Sequence, residues 1–156
     1  MKLWGRKARV EARPALGRAG AATGAWPPSY EAQVRDGYAR NAVAQRAVRL
    51  VADAVGSAPL AASEPALLAL AEGRLGGVGV LEAAATQLQL HGNAFVQVLR
   101  DAEGGAAALY PLRPERVTVE ADATGWPAVY RYQVGARVTR LHVDPVRPEV
   151  IHLKAF

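Results

Sequence analysis

The sequence lacks cysteine and long apolar segments, and each absence excludes a class of protein. Without cysteine the chain forms neither disulfides nor thiolate metal sites, so a secreted fold held by disulfides is not expected. No stretch approaches the ~18 uninterrupted apolar residues of a membrane-spanning helix, and none near the N-terminus suits a secretory signal. We therefore expect a soluble chain, whose 156 residues are enough to bury one core.

Acidic residues are scarce at the N-terminus, and this scarcity accounts for the whole net charge of +5. Residues 1–20 contain Glu11 as their one acid and six basic residues: Lys2, Arg6, Lys7, Arg9, Arg13 and Arg18. The rest of the chain is neutral overall, so nothing in it predicts a phosphate-binding surface. We predict a flexible basic N-terminal arm at residues 1–30, of open function, followed by one domain at residues 31–156.

Apolar residues at helical spacing predict a first helix over about residues 38–55. Asp36 is the predicted cap, and Gly56 ends the helix. The predicted apolar stripe consists of Val43, Ala47, Leu50, Val51, Ala54 and Val55. Three arginines, Arg40, Arg46 and Arg49, fall away from this stripe, as is typical of a solvated outer face.

Two further helices are predicted before the sequence changes character. A short helix follows Ser63, and glycine-rich residues 73–79 form a loose connection to a helix at about 80–91. The segment His91-Gly92-Asn93-Ala94-Phe95 then joins this helix directly to a strand. Here His91 is predicted to cap the last turn, Gly92 to adopt the left-handed conformation and Asn93 to bond the backbone.

The rest of the chain reads as β-strands separated by turns. Strands are predicted at 94–100, 106–112 (stopping at Pro111), 116–120, 129–134, 137–142 and 149–154. Helices followed by strands indicate an α+β fold, with the N-terminal helices packed on a C-terminal antiparallel β-meander. Tyr130 and Tyr132 share one strand face, and we expect them to pack against helix 38–55 rather than to stack on bases.

No catalytic, cofactor-binding or metal-binding residue is expected. The His91-Gly92-Asn93 turn superficially resembles an esterase oxyanion loop, but neither Ser57 nor Ser63 stands in Gly-x-Ser-x-Gly. His91, His142 and His152 lack the spacing of a zinc site, and no phosphate-binding Gly-x-x-x-x-Gly-Lys is present. Residues that contact nucleic acid are not assigned.

Several segments together resemble the portal protein family of tailed bacteriophages, prophages and gene-transfer particles. The segments are Tyr38-Ala39-Arg40-Asn41, Val51-Ala52-Asp53-Ala54-Val55 with Pro59-Leu60, Leu90-His91-Gly92-Asn93-Ala94-Phe95-Val96, Leu109 to Val117, Tyr130-Arg131-Tyr132 and Val150-Ile151-His152-Leu153-Lys154. They stand in the family's order from about residue 36 onward. Two differences are Ala42, where the family has proline, and the glycines at 73–79, where it has Arg-Pro-Asn.

The resemblance implies a non-enzymatic structural protein without a cofactor, corresponding to the wing portion of a portal. Portals form dodecameric rings at one capsid vertex, through which double-stranded DNA is packaged and ejected and to which the tail connector attaches. Implied partners are other copies, the major capsid protein, the terminase motor, the head-tail connector and DNA, with no membrane. The implied location is the virion, after assembly in the bacterial cytoplasm.

Family members are more than twice as long, so we expect a truncated or N-terminal fragment without stem and clip. Such a fragment should self-associate weakly and leave its helical stripe partly uncovered. Two other hypotheses remain at this point. The chain is alternatively a small nucleic-acid-binding α+β module anchored by the basic arm, or an α+β enzyme whose site centres on His91.

Overall fold

The computed structural model describes residues 29–75 and 77–155. Most of the predicted basic arm therefore lies outside the described residues. The described chain begins with a short helix, α1 (Tyr30–Val34), which continues as a π-helical turn at Arg35–Ala39. Ser29 caps α1 because its hydroxyl oxygen accepts a hydrogen bond from the Ala32 N–H at 3.2 Å. This helix was not predicted from the sequence.

The long helix α2 spans Ala42–Gly56, and its cap is Asn41 rather than the predicted Asp36. Asn41 is extended, and its side-chain oxygen accepts from the N–H groups of Val43 and Ala44, both at 3.1 Å. Asp36 lies in the preceding π-turn, where its carboxylate pairs with Arg35 and Arg40. The prediction of the cap was wrong because the chain breaks its helical path at residue 41.

Two more helices and a small hairpin complete the first half of the domain. Helix α3 spans Pro65–Ala71, and helix α4 spans Val80–His91. Between them, strands β1 (Arg74–Leu75) and β2 (Val78–Gly79) pair antiparallel, so the predicted loose connection is in fact a hairpin. No helix in the described ranges is long and apolar enough to cross a membrane.

The six remaining strands are β3 (Asn93–Arg100), β4 (Ala106–Leu112), β5 (Val117–Ala121), β6 (Pro127–Val134), β7 (Arg137–His142) and β8 (Val150–Lys154). Strand β4 continues through Pro111, which pairs with Val96, instead of stopping there. Proline is tolerated because β4 is an edge strand, where one side of the backbone needs no partner.

These strands form two three-stranded antiparallel sheets, not one meander. The first sheet has the order β4-β3-β8, and the second has the order β5-β6-β7. Only the second is a simple meander, since β8 returns from the chain end to pair with β3. The α+β class is confirmed, and the antiparallel strands are divided between two sheets.

The main core lies between the two sheets. Phe95, Leu112 and Val150 of the first sheet are buried together with Tyr130 and Leu141 of the second. We had predicted that Tyr130 packs against α2, but it packs between the two sheets. On the other face of the first sheet, α4 packs on β3, and α2 in turn packs on α4. The order of layers is α2, α4, first sheet, second sheet.

Gly92 ends α4 with φ +64° and ψ 0°, which confirms the predicted left-handed stop. A Cβ built at Gly92 meets no atom within 4 Å, so a side chain there is opposed by backbone strain alone. We expect Gly92→Ala to lower the free energy of unfolding by about 1–2 kcal/mol, measured by urea denaturation.

The matched control for Gly92 is Gly37→Ala. Gly37 also has open space around its Cβ position, but it lies in a helical turn and has no positive φ. Alanine should there be neutral or stabilising by up to about 1 kcal/mol. Equal losses at both positions would contradict the conformational explanation.

Candidate functional site

The residues of the turn after α4 form a hydrogen-bonded polar site between the helix and the two sheets. The Asn93 side-chain amide donates to the His91 carbonyl oxygen at 3.1 Å, as predicted for a residue that bonds the backbone. The Gly92 N–H donates to the Leu88 carbonyl at 2.9 Å, and the Gly92 carbonyl accepts from Ala155 at 2.9 Å. The helix end is thereby attached to Ala155, the residue that follows β8.

Asn93 also begins a hydrogen-bond network that was not predicted from the sequence. Its Oδ1 atom lies 2.9 Å from His152 Nε2 on β8, and His152 Nδ1 lies 3.2 Å from the Tyr130 hydroxyl on β6. Because Asn93 Oδ1 can only accept, the network assigns the proton of neutral His152 to Nε2. Tyr130 then donates to Nδ1. The Asn93–His152–Tyr130 network thus connects the two sheets.

Aromatic packing surrounds this network. The Phe95 ring stacks on the His152 ring with centroids 4.2 Å apart and an interplanar angle of 26°. Tyr130 approaches Phe95 edge-on at 5.6 Å and His152 edge-on at 5.5 Å. Burial raises the pKa of the Tyr130 hydroxyl, so it remains a proton donor at neutral pH. These contacts favour a structural role for the network.

His91 was predicted to cap the last turn of α4, but it is the last residue of the helix, and Gly92 is the C-cap. The His91 ring lies beside Tyr30 of α1 with centroids 5.3 Å apart, and its buried Nδ1 atom has no hydrogen-bond partner. Burial lowers the pKa of His91, and the negative charge of Glu115 partly opposes this shift. His91 therefore acts as a neutral, partly buried packing residue between α1 and α4.

The structure predicts that acid weakens the fold through these two histidines. Burial lowers the pKa of His152, with Lys154 adding to the shift, and burial also lowers that of His91. The unfolded chain then binds more protons below its ordinary histidine pKa of about 6.5. The stabilisation is complete above that pH and is lost as the pH falls toward the lower folded values.

We expect the urea midpoint to fall as the pH is lowered from about 6.5 toward the lower folded pKa values of the two histidines. His152→Gln should flatten this part of the profile, because it removes one of the two partly buried imidazoles whose pKa is lowered. The carboxylates with lowered pKa (Asp36, Asp122 and Asp144) act below their ordinary value of 3.8, outside this window. An identical profile in His152→Gln would contradict the assignment.

Among the described residues, no nucleophilic side chain forms a hydrogen bond with His91. The Ser57 hydroxyl donates to the Ala54 carbonyl at 3.2 Å at the end of α2, and Ser63 lies just before α3. A cleft of about 630 Å³ at the end of α2 is lined by Asp53, Glu72, Arg74 and Glu82, besides apolar and small residues. No hydrogen-bonded nucleophile and base meet in this cleft.

Metal-ligating residues are likewise dispersed in the part of the chain that the structure describes. No group of three or more histidine, aspartate or glutamate side chains stands close enough to hold an ion there. His142 is exposed on β7, and His152 is engaged with Asn93 and Tyr130. The three histidines singled out in the sequence therefore have separate surroundings.

The surface of α2 is the other notable feature. All six residues of the predicted apolar stripe are exposed, including Val43 at 79% and Leu50 at 53%. The helix instead turns Ala44, Val48 and Ala52 inward, and Ala52 is 2% exposed. A contiguous apolar surface thus remains open, as we predicted for a stripe that this chain covers incompletely.

The fold and its polar network define a structural α+β domain that presents an uncovered apolar helix. The sequence profile described as phage portal protein matches residues 42–156. The chain belongs to the phage portal protein family, a family of structural, non-enzymatic proteins, which confirms the resemblance. Among curated proteins, none matches significantly.

Solved structures of gene transfer agent (GTA) particles contain similar chains. One, from the virion of a native particle, is 30% identical with a TM-score of 0.72 over 92% of this chain. A second, from the neck of a native particle computed with C12 symmetry, is 31% identical with a TM-score of 0.71 over 89%. A third, from the neck of an empty particle computed with C6 symmetry, is 30% identical with a TM-score of 0.71 over 85%. The chain spans 39–41% of these relatives' lengths.

Proposed function

We propose that the chain is a subunit of a phage-type portal ring and contributes its wing portion. Such a ring forms the channel at one capsid vertex for packaging and ejection of double-stranded DNA and joins the head to the tail. The observation that carries this proposal is the likeness to GTA neck and virion chains, at 30–31% identity over 85–92% of the chain.

The partners follow from this proposal. They are further copies of the chain, the major capsid protein, the terminase motor, the head-tail connector and the DNA within the channel. We place the assembled protein at the portal vertex of a virion, after assembly in the bacterial cytoplasm. We expect the terminase motor and the head-tail connector to contact regions of a portal protein other than the region matched here.

Neither alternative function gains support from the described residues. A nucleic-acid module would need accessible aromatic and basic side chains on its folded surface. The two tyrosines singled out for base stacking do not offer such a face, because Tyr130 is buried and Tyr132 packs against the same core. The chain beyond residue 20 is also neutral overall. An enzyme centred on His91 would need a partner for that histidine, and its buried Nδ1 atom has none.

The test is to locate the chain in particles released by the source cells. Particles are purified by density gradient and probed with gold-labelled antibody against the chain. We expect the chain to sediment with particles and the label to mark a single vertex. Absence from particles, combined with strong, salt-sensitive DNA binding that persists after deletion of residues 1–20, would instead support the nucleic-acid module.

Two substitutions of alanine by glutamate control for folding in this experiment. Ala52→Glu places a charge at the buried contact between α2 and α4 and should prevent incorporation. Ala61→Glu introduces the same charge at an exposed loop position and should be incorporated normally. A difference between the two shows that incorporation depends on the folded domain.

A further inference from the structure

A groove of about 380 Å³ lies between the start of the described chain and the end of α4. We call it the α1 groove. Its mostly apolar walls come from α1, the π-helical turn and the last residues of α4: Tyr30, Val34, Tyr38, Ala39, Leu90 and the ring of His91. An open apolar groove of this kind is stabilised when an apolar side chain fills it and excludes water.

Tyr30 remains partly uncovered at the start of α1. It is 41% exposed, although its ring meets the His91 ring at a centroid distance of 5.3 Å. A second cavity, of about 330 Å³, also borders Tyr30 and His91, so open space adjoins this ring pair in two places. Within α1 itself, Ala32 is the one buried residue. The start of α1 therefore leaves aromatic surface available to another side chain.

Charged residues of both signs border the α1 groove. Glu31, Arg35 and Glu115 are exposed and line its edge, and the Arg35 Nε atom lies 3.1 Å from the Asp36 carboxylate. The glutamate carboxylates are hydrogen-bond acceptors, so the groove combines apolar walls with an acceptor at its edge. An indole combines a large apolar surface with one N–H donor that needs a partner when it is buried. The groove thus suits a tryptophan side chain, whatever the net charge at its edge.

The sequence places a tryptophan close to this groove. Trp26, Pro27 and Pro28 come directly before Ser29, which is the first described residue and the cap of α1. Three residues of chain span at most about 11 Å, so Trp26 is tethered near Tyr30. The two prolines have a fixed φ, which reduces the conformational entropy that the segment loses when it docks.

We propose that the side chain of Trp26 docks in the α1 groove of the same chain. The indole covers the exposed part of Tyr30, and its N–H donates to the carboxylate of Glu31 or Glu115. The contact fixes the point at which residues 1–25 leave the domain, beside α1 and the end of α4. It is independent of the proposed function because it forms within one chain.

Tryptophan fluorescence of the purified full-length chain tests this contact, because its three tryptophans can be reduced to one. The double variant Trp4→Phe/Trp126→Phe keeps Trp26, and Trp26→Phe/Trp126→Phe keeps Trp4 as the matched control. Trp126 is 72% exposed, so its replacement should leave the fold intact. We expect Trp26 to emit at shorter wavelength than Trp4 and to be quenched several-fold more slowly by acrylamide.

A substitution in the groove wall shows whether the groove itself protects Trp26. In the chain that keeps only Trp26, Ala39→Arg places a long charged side chain at the groove and should raise the quenching rate to that of Trp4. Ala61→Arg introduces the same side chain at an exposed loop position outside the groove and should leave the protection unchanged. Both positions are exposed, so the two variants should have the same circular dichroism spectrum.

A second measurement needs no change in the groove. NMR titration of His91 in Trp26→Ala should give a higher pKa than in the unchanged chain, because the ring loses cover and burial is what lowers this pKa. Trp4→Ala is the control and should leave the His91 pKa as it is. An equal His91 pKa in all three chains would contradict the contact.

Three fluorescence results would also overturn the proposal. Equal quenching of Trp26 and Trp4 would mean that Trp26 does not occupy the groove. Protection that survives Ala39→Arg would place Trp26 against a different surface. Protection that rises with protein concentration would show that the groove takes up the tryptophan of a second copy instead.

Discussion

Replacing Phe95 with alanine should lower the free energy of unfolding by about 3–5 kcal/mol, measured by urea denaturation at pH 7.5. Phe95 is 5% exposed and lies in the core between the two sheets. Its loss leaves a cavity and removes the ring that stacks on His152 at 4.2 Å and meets Tyr130 edge-on. For a domain of this size such a loss is a large part of the total stability.

Tyr110→Ala is the matched control for Phe95. Tyr110 belongs to the adjacent strand β4 and pairs with Gln97, but it is 42% exposed. Its truncation should cost clearly less, about 1 kcal/mol, because little apolar area leaves water there on folding. Comparable losses in the two variants would mean that the inter-sheet core does not dominate stability.

Asn93→Ala should lower the free energy of unfolding by about 2–4 kcal/mol, although the side chain removed is small. The change leaves the His91 carbonyl without its amide donor and His152 Nε2 without its acceptor. Unpaired polar groups in partly buried positions carry a desolvation penalty in addition to the lost hydrogen bond. The measurement is the same urea titration at pH 7.5.

Two further variants identify the cause of the Asn93 effect. Asn41→Ala removes an exposed helix cap of the same residue type and should cost about 1 kcal/mol. Asn93→Asp keeps an acceptor for His152 and adds a negative charge beside it, which should raise the pKa of His152. Histidine NMR titration checks this shift, and an unchanged His152 pKa would contradict the network.

Local features of this chain were predictable because they depend on neighbouring residues. The stop at Gly92 follows from a left-handed conformation that glycine adopts without strain, and the alternation after Ala94 marks a strand. Six short segments in the family's order, among them Leu90 to Val96, together indicated the portal family, which the profile match confirms. The prediction of Asp36 as the cap was wrong because Asp36 and Asn41 are both capping residue types that lie close together. Only the backbone conformation shows which of them precedes the helix.

The sequence did not reveal the network because its members are far apart in the chain. His152 lies 59 residues from Asn93 and 22 from Tyr130. No spacing rule connects them, since they meet only after β8 pairs with β3 and the sheets pack face to face. The same packing places Tyr130 between the sheets and away from α2.

The sequence by itself determined the neutral body, the α+β order, the helix stop at Gly92 and the membership of the portal family. Backbone preference, charge and short-range periodicity act within a few residues, so they can be read from the chain directly. Only the tertiary structure decided that the strands form two sheets, that His152 joins Asn93 to Tyr130, and that α2 turns Ala44, Val48 and Ala52 inward. These features depend on which surfaces lie together once distant segments pack, and burial of one helix face excludes burial of another.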